Sequence, residues 1–241
     1  MRLSAFFLGL MAVVAPASAQ SAEPECVVLL HGAGARGVVM KRVEARLRRA
    51  GYRTVNITYP SRRAPFEQLA RDYLPERLRR GGVARAPRVH FVTHSMGGLV
   101  LRLHLQEARP DNLGRVVMIG PPNHGTIAAD SARRNRFLHW FFGANLRHMG
   151  TGDDALHHRL GPADYDLGVI AGSGVINPIY TRKFGGPNDG IVAVESTKLA
   201  GMRDFIVLPY SHTMILFRRE TGRQVLAYLQ GGRFAPAAAA K

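Results

Sequence analysis

The chain of 241 residues has one cysteine, one tryptophan and only 17 acidic residues against 33 lysines and arginines. A single cysteine excludes an intramolecular disulfide, so stability must come from a packed core, which a chain of this length is able to build. Cys26 opens an apolar run with no nucleophile signature around it, so it reads as a small buried or edge residue. No apolar stretch beyond residues 1–19 is long enough to cross a bilayer. A P-loop Lys-Ser/Thr pair, a complete G-x-G-x-x-G, zinc-ligand spacing and a basic stripe interleaved with aromatics are missing too. Adjacent His157 and His158 would converge poorly on one ion. No metal, no cofactor and no specific nucleic-acid partner is therefore expected.

The shortage of acids leaves a formal net charge of +16. Arginines such as Arg42, Arg46, Arg48, Arg49, Arg77, Arg79 and Arg80 fall on helical segments, where a solvated face is the ordinary reading. Charge by itself supports weak association with an anionic membrane or envelope polymer.

Residues 1–19 combine Arg2, an apolar run over 3–15 and the triplet Ala17, Ser18, Ala19. That is the pattern of a secretory signal peptide, with a retained anchor as the alternative; the apolar run is short for a span. The expected location is periplasmic or secreted, with residues 20–241 as a single domain.

Apolar, β-branched runs predict strands over 26–30, 52–58, 88–93, 115–119, 167–171 and 204–208. Helical periodicity predicts helices over 38–50, 65–80, 96–108 and 214–229. Alternation of this kind wraps helices on both faces of a mostly parallel central sheet, an α/β fold. The stretch 121–166 breaks the rhythm and holds Phe137, Leu138, Trp140, Phe141 and Phe142. It reads as a cap-like insertion, with a helix packed into the core as the equal alternative. Residues 233–241, which follow Gly231-Gly232 and are rich in Ala, read as a flexible tail.

Ser95 stands in Thr93-His94-Ser95-Met96-Gly97, followed by Gly98, where a buried strand gives way to a helix. A serine hydroxyl needs a sharp turn and a nearby base to become a nucleophile, and small neighbours permit that turn. Thr93 departs from the small residue usual at the first position of such an elbow. The N–H of Met96 at the helix start is one candidate oxyanion donor, and the N–H of Ala33 in the turn Leu30-His31-Gly32-Ala33-Gly34 is the second. Asp189, in Asn188-Asp189-Gly190-Ile191-Val192, and then His212 follow Ser95 in the order nucleophile, acid, base. His212 follows a strand end, as Ser95 does; the rival acid Asp204 opens a strand and would lie at the far edge. His94 is expected to point away from the site on its tight turn, and His124 to shape the pocket.

The H-G turn at His31-Gly32, the elbow over 94–97, the loop over 188–192 and His212 before the last helix resemble the bacterial lipase and esterase branch of the α/β-hydrolase superfamily. The resemblance spans most of the chain beyond the leader. It implies a compact α/β-hydrolase fold, acyl transfer to Ser95 and then to water, and a small-molecule or lipid ester substrate. An acyltransferase with the same triad and a non-catalytic envelope-polymer binding protein are the alternatives.

Overall fold

The computed structural model describes residues 23–132, 143–175 and 177–236. Six strands form one sheet in the order β2-β1-β3-β4-β5-β6, all parallel. They are β1 (Cys26–Leu30), β2 (Arg53–Ile57), β3 (Val89–His94), β4 (Leu113–Ile119), β5 (Leu167–Gly172) and β6 (Asp204–Leu208). The sheet expected to be mostly parallel is parallel throughout its described strands.

The inner strands read as unbroken apolar runs because both faces are covered. In β1, Cys26, Val28 and Leu30 join one core while Val27 and Leu29 join the other, the period-two alternation of a pleat. The first core packs under α2 (Phe66–Gln68), α3 (Leu74–Arg80) and α4 (Met96–Glu107). The second is closed by α1 (Lys41–Arg49), through Val43 and Leu47, and by the last helix, through Val225, Tyr228 and Leu229. Cys26 is fully buried.

Three short helices complete the described set up to that point: α5 (Ile127–Ala132), α6 (Pro178–Lys183) and α7 (Val194–Thr197). Where one helix was expected over 65–80, residues Leu69–Tyr73 widen into a π turn between α2 and α3. Pro75 follows after Leu74; it has no N–H and crowds the preceding turn, and a locally wider helix relieves both. The helix expected over 214–229 is divided at Arg218, whose backbone is extended, into a 3₁₀ turn Met214–Phe217 and α8 (Arg219–Gly231). No Gly or Pro marks that break. Tertiary packing makes it, by burying Ile215 and Leu216 beside the sheet edge that carries His212.

The described parts of the 121–166 stretch, 121–132 and 143–166, lie against the first core through Leu146, Met149, Leu156 and Leu160. Asn145 ties them down by donating to the carbonyls of Ser61 and Ala64. The aromatic cluster of that stretch, the leader at 1–19 and residues 237–241 lie outside the described residues. Residues 233–236, expected to be loose, are held: the Phe234 N–H donates to Asp204 and the Ala235 N–H to Gln224.

Candidate active site

The strand order reverses between β1 and β3, so the connections leaving them run to opposite sides and open a crevice at their C-terminal ends. Ser95 follows β3 and the turn at 31–35 follows β1, one on each side of that crevice. Ser95 has φ 54 and ψ −127, the sole positive φ on a non-glycine residue among those described. Its N–H donates to the Ile119 carbonyl and its own carbonyl accepts from Gly98, which pins the strained turn at both ends.

Glycines make the turn sterically feasible. A Cβ on Gly97 would sit 2.7 Å from the His31 carbonyl oxygen, and one on Gly32 would sit 2.9 Å from the Ser95 Cβ. Thr93 at the first elbow position is fully buried and packs beside Gly98, where a Cβ would lie 3.4 Å from the Thr93 Oγ1.

Ser95, Asp189 and His212 meet. The Ser95 hydroxyl lies 2.9 Å from His212 Nε2, and His212 Nδ1 lies 2.7 Å from Asp189 Oδ2. The other Asp189 oxygen accepts from the N–H groups of Ile191 (2.9 Å) and Val192 (2.7 Å), which orients the carboxylate. Asp189 is buried, and the His212 N–H donates to its backbone carbonyl, so acid and histidine are joined twice. A carboxylate at Nδ1 keeps that proton on Nδ1 and leaves Nε2 as the acceptor facing the serine.

Asp204 lies at the N-terminal end of β6, across the sheet from the crevice, and accepts from the N–H groups of Phe205 and Phe234. It takes no part in the site.

His94 does not point away, contrary to the sequence expectation. Its ring packs 4.7 Å from that of His212, and its Nε2 donates to the His212 carbonyl at 2.9 Å. Burial holds it well below the usual histidine range, with the neighbouring His212 adding to the effect. A proton on Nε2 leaves Nδ1 bare, and Nδ1 has no partner, as a neutral ring requires. Only the adjacency of His94 to Ser95 hinted at this, and adjacency carries no direction.

His31 steadies the opposite wall. It stacks on Tyr59 with centroids 4.2 Å apart, donates from Nδ1 to the Gly32 carbonyl and accepts the Tyr59 N–H at Nε2. The Tyr59 hydroxyl in turn donates to the His31 carbonyl. Ala33, two residues on, lines the cavity. Met96 is buried as the first residue of α4, where its N–H lies outside the helix's own ladder.

The cavity over Ser95 has a volume of about 210 Å³, and Val39, Ile191 and Leu216 supply its apolar wall. Ile191 belongs to the acid loop, but Val39 and Leu216 carry no motif in the sequence. No described residue of 121–166, His124 included, lines it. His124 packs instead near His157, whose pKa is pushed down to about 4 by burial and by neighbouring cations. Among the described residues no cluster of His, Cys, Asp or Glu forms a metal site.

A sequence model of the alpha/beta hydrolase family matches residues 27–227. Comparison with curated proteins finds no match. Among solved structures, the mature form of a Bacillus licheniformis lipase aligns with TM-score 0.65 at 18% identity, over 87% of this chain and 92% of that one. An esterase from Exiguobacterium antarcticum aligns with TM-score 0.56 at 17% identity, over 87% and 93%. A lipase B from Aspergillus fumigatus aligns with TM-score 0.64 at 16% identity; it covers 86% of this chain, which spans about half of that one (52%). At such identities the likeness is one of fold.

Proposed function

The chain belongs to the α/β-hydrolase family, and from that premise we propose that it hydrolyses carboxylic esters through an acyl-Ser95 intermediate. The observation that carries the reading is the hydrogen-bonded relay from the Ser95 hydroxyl through His212 to Asp189, at 2.9 and 2.7 Å. Ser95 Oγ attacks the ester carbonyl while His212 Nε2 takes its proton. Asp189 holds the ring by Nδ1–H and stabilises the imidazolium that forms. The N–H groups of Ala33 and Met96 stabilise the oxyanion, aided by the positive end of α4. His212 then protonates the departing alcohol. Water, deprotonated by the same nitrogen, attacks the acyl-enzyme, releases the acid and returns the proton to Ser95.

The ester group and the first carbons of its acyl chain fill the cavity over Ser95. Val38, 59% exposed, and Met214, 43% exposed, adjoin in sequence the lining residues Val39 and Thr213, and a longer chain runs over them. The leader reading at 1–19 makes this an exported enzyme, periplasmic or secreted; N-terminal sequencing of the protein recovered outside the cytoplasm, with a start at Gln20, tests it.

A fluorophosphonate probe labels Ser95 in the native protein, and Ser95→Ala abolishes labelling while retaining the fold. Hydrolysis of p-nitrophenyl butyrate falls by roughly 10⁴-fold or more in the same variant. Native protein that neither labels nor hydrolyses any ester in a panel of increasing acyl length would refute the reading.

A further inference from the structure

Beside the Ser95 cavity lies a second concavity of about 490 Å³, between α1, the turn Met214–Phe217 and the start of α8. Leu216 lines both, so the two share a wall. Five arginines line the second: Arg42, Arg46, Arg49, Arg218 and Arg219, with no carboxylate among its lining residues. Among the described residues none of the five forms a salt bridge, whereas arginines elsewhere do pair: Arg48 with Glu44, Arg71 with Glu107, Arg223 with Glu220.

The groove is also preorganised. Gly222 of α8 makes room for the Arg46 stem, since a Cβ there would sit 2.9 Å from the Arg46 Cδ. The Arg46 Nε is shielded from solvent and has no hydrogen-bond acceptor. Arg42 donates to the Phe217 carbonyl and Arg218 lies over the Tyr210 ring at 5.2 Å, so both side chains are held in place. Glu220 lies near enough to feel the Arg46 charge but is ion-paired with Arg223, so the five guanidinium groups stay in excess and repel one another, and an anion with several acceptor oxygens removes that repulsion while supplying the missing acceptors. Guanidinium groups suit phosphate in particular. Exposed Val38 and Met214 neighbour the cavity lining in sequence, so the same region offers apolar side chains as well as cations.

We propose that this groove binds the phosphate of anionic lipid headgroups and so holds the mouth of the Ser95 cavity against a lipid surface. Taken with the ester-hydrolase reading, on which this part rests, the substrate class is a phosphate-bearing lipid ester. The binding itself does not depend on catalysis.

The test measures sedimentation of the Ser95→Ala protein with vesicles of phosphatidylglycerol in phosphatidylcholine, against phosphatidylcholine alone. Binding requires the anionic lipid and weakens as salt is raised. Adding Arg49→Gln, Arg218→Gln and Arg219→Gln lowers affinity about 100-fold. Arg49→Gln with Arg219→Gln, which leaves Arg218 on Tyr210, gives an intermediate loss. An equal loss of charge elsewhere, by Arg85→Gln, Arg182→Gln and Arg233→Gln, has a far smaller effect. In the active enzyme the groove triple leaves hydrolysis of p-nitrophenyl butyrate unchanged, so failure of the ester reading and failure of the groove register separately. Equal losses from the two triples would mean diffuse charge and overturn the proposal. So would equal binding to both vesicle types; binding of inorganic phosphate in calorimetry by a protein that sediments with neither vesicle would make free phosphate the ligand and overturn the lipid assignment.

Discussion

At the scale of single residues, the site depends on backbone positions that admit no side chain. Gly120, directly after β4, has φ +55, and a Cβ there would approach Asp189 Oδ2 at 3.2 Å and His212 Nδ1 at 3.3 Å. Gly120→Ala therefore meets a left-handed backbone penalty of about 1–2 kcal/mol and pushes on the bond that orients the base. On the proposed mechanism kcat drops about 10- to 100-fold with little change in KM, because the error falls on the base and not on the cavity wall. Steady-state kinetics on a soluble ester checks this; an unchanged kcat would mean that the acid and base tolerate displacement. His94 belongs to the same scale. Its neutral ring carries the carbonyl of His212, so the histidine is held from its backbone as well as from Nδ1.

At the scale of elements, α4 is the member that binds the site to the fold. Met96 through Leu105 are all buried, so the helix is enclosed and presents no solvated stripe. Enclosure forces its one arginine inward. Arg102 Nη1 donates to Asn123 O and Oδ1, and Nη2 donates to Leu160 O and Gly161 O, tying together both ends of the 121–166 stretch. Arg102→Met keeps much of the stem but leaves these acceptors without their donor, for an expected loss of about 2–4 kcal/mol in urea unfolding. Activity per folded molecule stays near that of the native protein, because Ser95 lies about two helical turns away. A variant as stable as the native chain would show that those carbonyls find other partners at no cost.

At the scale of the whole molecule, several histidines are buried against their own protonation. Burial lowers the pKa of His31, His90, His94 and His104, and of His157 to about 4. The unfolded chain takes up protons below about 6.5 that the folded chain refuses, so stability is complete above that pH and falls as the pH drops toward the folded values. His94, held well below the usual range, contributes in that direction. Thermal unfolding at matched ionic strength should show the midpoint decreasing steadily over that range; a flat midpoint would mean that these rings accept protons without unfolding. The surplus of basic residues adds repulsion in the same direction as the histidines charge.

The sequence by itself determined the sheet. Continuous apolar runs have only one way to bury both faces, and β1 and β6 begin and end where those runs do. Strand-to-helix punctuation also placed Ser95 and His212 at strand ends, and sheet polarity favoured Asp189 over Asp204, both of which chain order admits. What lies between distant residues was not legible. The Arg218 break has no sequence signal because packing of Ile215 and Leu216 makes it. His94 was misread because the direction of a ring on a tight turn is set by its neighbour across the crevice, His212. The apolar wall of Val39, Ile191 and Leu216 arises only when the segments after β1, β5 and β6 come together, and the clustering of five arginines only when α1 meets the segment after β6. Local patterns encode which residues are buried and where strands stop; convergence of side chains far apart in the chain follows from strand order, which the tertiary fold alone supplies.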